Sequence, residues 1–117
     1  MKKTVLALAG MLAMSPAFAQ QAPAGNVERG RTLYVQTGCY ACHGLAGQGA
    51  QATGPRLSRT QLPFAAFLVF LRAPIKQMPP YQATVLPDQD VADIYAYVQQ
   101  LPAPRDPKSI PLLNAER

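Results

Sequence analysis

Apolar residues in this chain gather in four stretches divided by glycine and proline breaks, and three of those stretches carry helical spacing. Residues 5–13 are an unbroken apolar run containing Leu6, Leu8 and Leu12, with no polar face. Asn26 is an N-cap with Glu28 in the first turn, opening a helix to about residue 36 on which Val27, Tyr34 and Val35 recur at helical intervals. Gly30 sits one turn before Tyr34, and a helical glycine costs ~1 kcal/mol relative to alanine, so close packing on another backbone is the compensation expected there. Thr37 and Gly38 end that helix. Residues 62–72 form a second helix, started by Pro63 and stopped before Pro74; with Phe64, Phe67, Leu68, Phe70 and Leu71 it is apolar on nearly all sides. A third helix is predicted over 88–101. Val91, Ile94, Val98 and Leu101 make its apolar stripe, Tyr95 and Tyr97 flank it, and Asp88, Asp90 and Asp93 lie toward its positive end.

The breaks define the organisation. Residues 20–25 are a loose Gln/Ala/Pro lead-in, and 44–54 hold four glycines and read as a flexible loop. Residues 73–87 contain Pro74, Pro79, Pro80 and Pro87 and are expected to be extended and rigid. After Leu101 the tail 102–117 is spaced by Pro102, Pro104, Pro107 and Pro111 and is expected not to be helical; Leu112 and Leu113 either tack it to the surface or meet a partner. There is no internal repeat, and 26–101 is a single domain.

Residues 1–19 read as a cleaved secretory signal. Lys2 and Lys3 start it, the apolar run follows, and Ala17-Phe18-Ala19 supplies the cleavage site. The run is too short to span a ~30 Å bilayer, and neither a twin arginine nor a lipid-bearing cysteine accompanies it. The expectation is a soluble, periplasmic mature form without a membrane span. Its removal leaves nine basic against six acidic side chains, a net of +3 in place of +5, and leaves Met78 as the sole methionine. So mild a charge suits acidic docking patches and is too small to point to nucleic acid. At this size a protein core is only marginally stabilising by itself.

Both cysteines and the only histidine fall together in Cys39-Tyr40-Ala41-Cys42-His43. C-x-x-C-H is the attachment pattern of a c-type haem: two thiols one helical turn apart add to the two vinyl groups, and the next residue offers an imidazole to the iron. The alternatives are poorer. No alternating strand–helix pattern surrounds the cysteines, as a thioredoxin-like pair would need. Zinc would lack a fourth ligand. A Cys39–Cys42 disulfide would close a tiny loop and stabilise little. A covalently fixed macrocycle would also supply core, with helix 62–72 between it and the rest.

With no second histidine, the other face of the iron needs a different donor. Met78 lies 35 residues beyond His43, enough chain to wrap around, and two prolines follow it and hold it. One imidazole and one thioether is the ligation that raises the potential of cytochromes c. Lys76, as a deprotonated amine, is the rival donor, and an open position permitting ligand binding or peroxidase chemistry is the other alternative. His43 should bind iron through one nitrogen while the other donates to a carbonyl of the Gly54-Pro55 segment.

Over residues 26–101 the chain resembles the class I (monohaem) cytochromes c of the bacterial periplasm. The resemblance rests on Gly30 and Tyr34, on Cys39-x-x-Cys42-His43, and on Gly54-Pro55-x-Leu57. Met78-Pro79-Pro80-Tyr81 and the run from Asp93 to Val98 complete it. It implies a small all-α fold of three to four helices around one covalently attached haem. First and last helices would cross, Gly30 and Tyr34 meeting Ile94 and Tyr97. It implies that Cys39, Cys42, His43, Met78, Gly54, Pro55, Leu57 and Tyr81 bind the haem, the Pro55 carbonyl accepting from His43. Pro87 departs from the Ser or Thr that often caps the last helix, and the tail is longer than a minimal member needs.

The function expected is one-electron transfer between periplasmic redox proteins, a dehydrogenase donor and an oxidase or reductase acceptor, without enzymatic chemistry of its own. Arg56, Arg59, Arg72 and Lys76 flank the haem-bearing segments and would steer an acidic partner. The rivals are a haem subunit bound permanently to a dehydrogenase with the tail as anchor, a haem sensor or peroxidase, and a thiol oxidoreductase.

Overall fold

Asn26 accepts the Arg29 amide at 2.9 Å and so starts helix α1 (Val27–Gln36), where the sequence places it. The computed structural model describes residues 22–115; the signal segment 1–19 lies outside them. Within the described residues follow α2 (Cys39–His43), α3 (Phe64–Arg72), α4 (Asp88–Gln100), a 3₁₀ turn (Pro107–Ser109) and α5 (Pro111–Asn114), with no strand. The protein is all-α.

The first long helix and the last cross, and small size at the crossing permits it. A Cβ on Gly30 would overlap the Asp93 carbonyl and the Ile94 amide, so the two backbones meet there. One turn on, Tyr34 is fully buried and packs edge-on against Tyr97 with ring centroids 5.5 Å apart. Val91, Ile94, Val98 and Leu101 are buried as their spacing predicts, and Phe67 and Leu71 of α3 join them.

Asp93 does more than offset a helix dipole. It is 1% exposed. It accepts the Asn26 amide (2.8 Å), Arg29 Nη1 (2.8 Å) and Gln89 Nε2 (3.1 Å). Arg29 also pairs with Asp90 at 2.6 Å. Burial works against the Asp93 charge, but the Asn26 and Gln89 donors and the Arg29 guanidinium together hold its carboxyl below the usual range. The lead-in expected to be loose is tied at its end, where the Ala24 carbonyl accepts from Gln89 at 2.9 Å.

Helix α3 buries Phe67 and Leu71 and leaves Val69 and Phe70 exposed. Two expectations need correction. Residues 73–87 are not extended throughout. A turn in which the Val85 and Leu86 amides both reach the Gln82 carbonyl buries Leu86 in the core. The tail does hold helical turns. Pro107 and Pro111 stand at first helical positions, where a missing N–H costs nothing, and Asp106 caps the first turn by accepting the Lys108 amide. Leu112 and Leu113 remain exposed, so they do not tack the tail down.

Candidate cofactor site

The single turn of α2 carries Cys39, Cys42 and His43, and α1 together with the loop that follows α2 holds that turn. Tyr34 donates to the Gly44 carbonyl at 2.7 Å, Gly49 N–H to the His43 carbonyl at 2.8 Å, and the Thr53 hydroxyl to the Cys42 carbonyl at 2.9 Å. Both cysteines are free thiols, Cys39 partly buried and Cys42 exposed. The Thr37 hydroxyl lies 3.3 Å from Cys39 Sγ. Burial is the main influence pushing the Cys39 thiol up, so it stays protonated at neutral pH.

His43 is buried, and its Nδ1 lies 2.7 Å from the Pro55 carbonyl. A carbonyl can only accept, so Nδ1 carries the proton and the neutral ring keeps its lone pair on Nε2. The segment supplying that carbonyl is held in turn, since the Leu57 and Ser58 amides donate to Gly47 at 2.8 and 2.9 Å. Gly54 makes room for the ring: a Cβ there would stand 3.0 Å from His43 Nδ1 and Cε1.

Cys39, Cys42, His43, Gly54, Pro55, Leu57, Met78 and Tyr81 all line one cavity of about 1380 Å³. The fold thus gathers residues from three separate chain segments around one space. It exceeds the ~300–1,000 Å³ of common small-molecule sites, and Phe67, Phe70, Leu71 and Ile94 give it an apolar lining. Two thiols, a ring nitrogen with a free lone pair and a thioether around a large apolar cavity fit a haem. No group of three or more His, Cys, Asp or Glu among the described residues is placed to hold a bare metal ion.

Lys76 and Arg56 also line the cavity. Arg72 differs from the steering role its position suggested. Its guanidinium donates to the Tyr81 carbonyl at 2.7 Å and pairs with Asp88. Arg59 donates to the Leu101 carbonyl at 3.3 Å. Sequence spacing missed a further link: the Tyr81 hydroxyl donates to the Thr37 carbonyl at 2.9 Å, across 44 residues. Only the polar tip of a tyrosine beside two prolines hinted at it.

The family model described as cytochrome c oxidase, cbb3-type, subunit III matches residues 25–98, from just before α1 to near the end of α4. Comparison with curated proteins finds no match.

Proposed function

We propose that this chain, which belongs to that cytochrome c family and has a covalently bound c-type haem as its cofactor, is a soluble periplasmic one-electron carrier. In this reading Cys39 and Cys42 would form the thioethers, and His43 Nε2 and Met78 Sδ would ligate the iron. The haem would supply a reversible one-electron iron couple, its potential raised by sulfur ligation. His43 is held in one tautomer and one orientation by the Pro55 carbonyl. Phe67 and Leu71 line the cavity and would shield the ligands from water. With His43 and Met78 both ligating, the iron would have no place for substrate, and the protein would pass electrons without a reaction of its own. Export rests on the reading of 1–19 as a cleaved signal, and no helix among the described residues is long and apolar enough to cross a membrane.

The observation that supports the proposal is the His43 Nδ1–Pro55 bond in a cavity that Met78 also lines, so that an imidazole with its second nitrogen free and a thioether share one space. The test is an optical spectrum of protein from a periplasmic extract, oxidised and reduced, with and without carbon monoxide. A low-spin c-type spectrum with the sulfur-to-iron charge-transfer band, indifferent to carbon monoxide, is expected. In Met78→Ala the haem should stay attached, the band vanish, the potential fall and carbon monoxide bind. An unchanged spectrum in that variant would remove Met78 as ligand.

A second reading has specific support: a haem subunit held permanently in an oxidoreductase complex. The matched family is described as an oxidase subunit, and Leu112 and Leu113 of α5 stand 87% and 63% exposed. A stable copurifying partner favours it; a monomer in gel filtration of the native extract favours the free carrier.

A further inference from the structure

Met78 packs partly buried against the core, but its loop has no hydrogen bond of its own to hold it. Among the described residues, 74–80 neither donate nor accept a hydrogen bond. The prolines in it stiffen the chain locally but do not place it relative to the cavity. Beyond the packing of Met78 itself, the loop's polar anchors are where it leaves α3 and where it returns.

Three contacts meet at that base. The Tyr81 amide donates to the Leu71 carbonyl at 2.9 Å and closes the loop on the last turn of α3. Arg72 Nη1 donates to the Tyr81 carbonyl at 2.7 Å, and its other terminal nitrogen pairs with Asp88 in the first turn of α4. The Tyr81 hydroxyl donates to the Thr37 carbonyl at 2.9 Å, two residues before Cys39. One residue thus joins the loop to α3 and to the segment that leads into the C-x-x-C-H turn, and one guanidinium ties the same residue to α4. The Arg72 side chain is 22% exposed, against 60% for Asp88, so the guanidinium works partly out of water, where a charge-assisted bond to a carbonyl counts for more.

We infer that Arg72 and Tyr81 are positioning residues for the Met78 sulfur, clamping the base of its loop to α3, α4 and the approach to Cys39. The inference rests on Met78 being the sixth ligand. It makes Arg72 a different kind of residue from a docking cation. Its loss would free the loop before it changed any encounter with a partner. Tyr81 acts through its main chain and hydroxyl together, so removing the hydroxyl alone should loosen one of the three ties.

The test uses the full haem-loaded protein in four forms: parent, Tyr81→Phe, Arg72→Gln and Arg72→Lys. The readouts are the charge-transfer band of the oxidised protein and carbon monoxide binding by the reduced protein, with far-UV circular dichroism to follow the helices. Tyr81→Phe and Arg72→Gln should weaken the band and raise carbon monoxide binding at unchanged helix content: Tyr81→Phe about fivefold, the worth of one neutral hydrogen bond, and Arg72→Gln about tenfold or more, the worth of a charge-assisted one. Arg72→Lys should recover part of the effect, since it keeps the charge but loses the fork. A merely structural role would lower the unfolding temperature and leave band and ligand binding alone below it, and that result overturns the proposal. So does a variant whose spectrum is that of the parent while only the salt dependence of its reduction by an acidic partner changes. A parent that itself lacks the band and binds carbon monoxide removes the Met78 ligation first and the clamp with it. Should Arg72→Gln fail to fold, Tyr81→Phe decides alone, because it deletes one oxygen and keeps the ring.

Discussion

Replacing Gly30 by alanine sets two opposed effects against each other, and the structure decides the sign. In an exposed helix the change would stabilise by ~1 kcal/mol through backbone entropy. Here the new methyl would overlap the Asp93 carbonyl carbon and oxygen and press on the Ile94 amide, all backbone atoms of α4 that no rotamer change can move aside. Over-packing of a tight contact costs ~1–3 kcal/mol, and a clash with backbone belongs at the upper end. Relief requires α1 and α4 to separate, which loosens Tyr34 against Tyr97 and lengthens the Asp93 bonds to Asn26 and Arg29. The net is a loss of about 2 kcal/mol out of a total of about 5–15 for a domain. At this size that is a fall of roughly 8–16 °C in unfolding temperature. The assay is thermal unfolding of the haem-loaded protein by far-UV circular dichroism, with the haem spectrum recorded alongside. An unchanged or higher unfolding temperature would refute the reasoning, since it would mean the backbones do not touch at Gly30.

Two further outcomes follow from the same contacts. Asp93→Asn should cost about 1–2 kcal/mol near neutral pH by losing charge-assisted bonds, discounted because Arg29 is half exposed. The Asp93 pKa is lowered in the fold, so its contribution is complete above the ordinary carboxylate range and is lost as pH falls through the lower folded value. Unfolding temperature against pH should therefore be flatter on the acid side in the variant, and the two curves should converge in acid; parallel curves would count against the Asp93 network. Gly54→Ala would bring a methyl to 3.0 Å from the His43 ring. The ring must tilt away from the Pro55 carbonyl, and a high-spin fraction should appear in the oxidised spectrum while the haem stays attached; an unaltered spectrum would show that the pocket yields instead.

Legibility differed by the kind of signal. Helix starts and stops were readable because they are local. Asn26 caps α1, Pro63 precedes α3, and α4 begins at Asp88 even though Pro87 makes no side-chain cap bond. The buried stripe of α4 was readable from its spacing. The gathering of Cys39, Cys42, His43, Gly54, Pro55, Leu57, Met78 and Tyr81 around one cavity was anticipated through motifs that constrain chemistry at fixed intervals. Errors arose where a rule of thumb ignored position. Proline spacing argues against helix in the tail, yet at a first helical position proline is welcome.

The sequence by itself determined the three longer helices, the C-x-x-C-H turn and the candidate donors, because capping, periodicity and the C-x-x-C-H spacing act over a few residues. Tertiary structure alone decided which charges are structural. Asp93 reads as a helix-start acid and Arg72 as a surface cation until α1 lies across α4 and the loop returns beside α3. Asp93 then joins α1 to α4 and Arg72 joins the Met78 loop to α4. No local pattern encodes those pairings, since each joins residues brought together only when the helices cross.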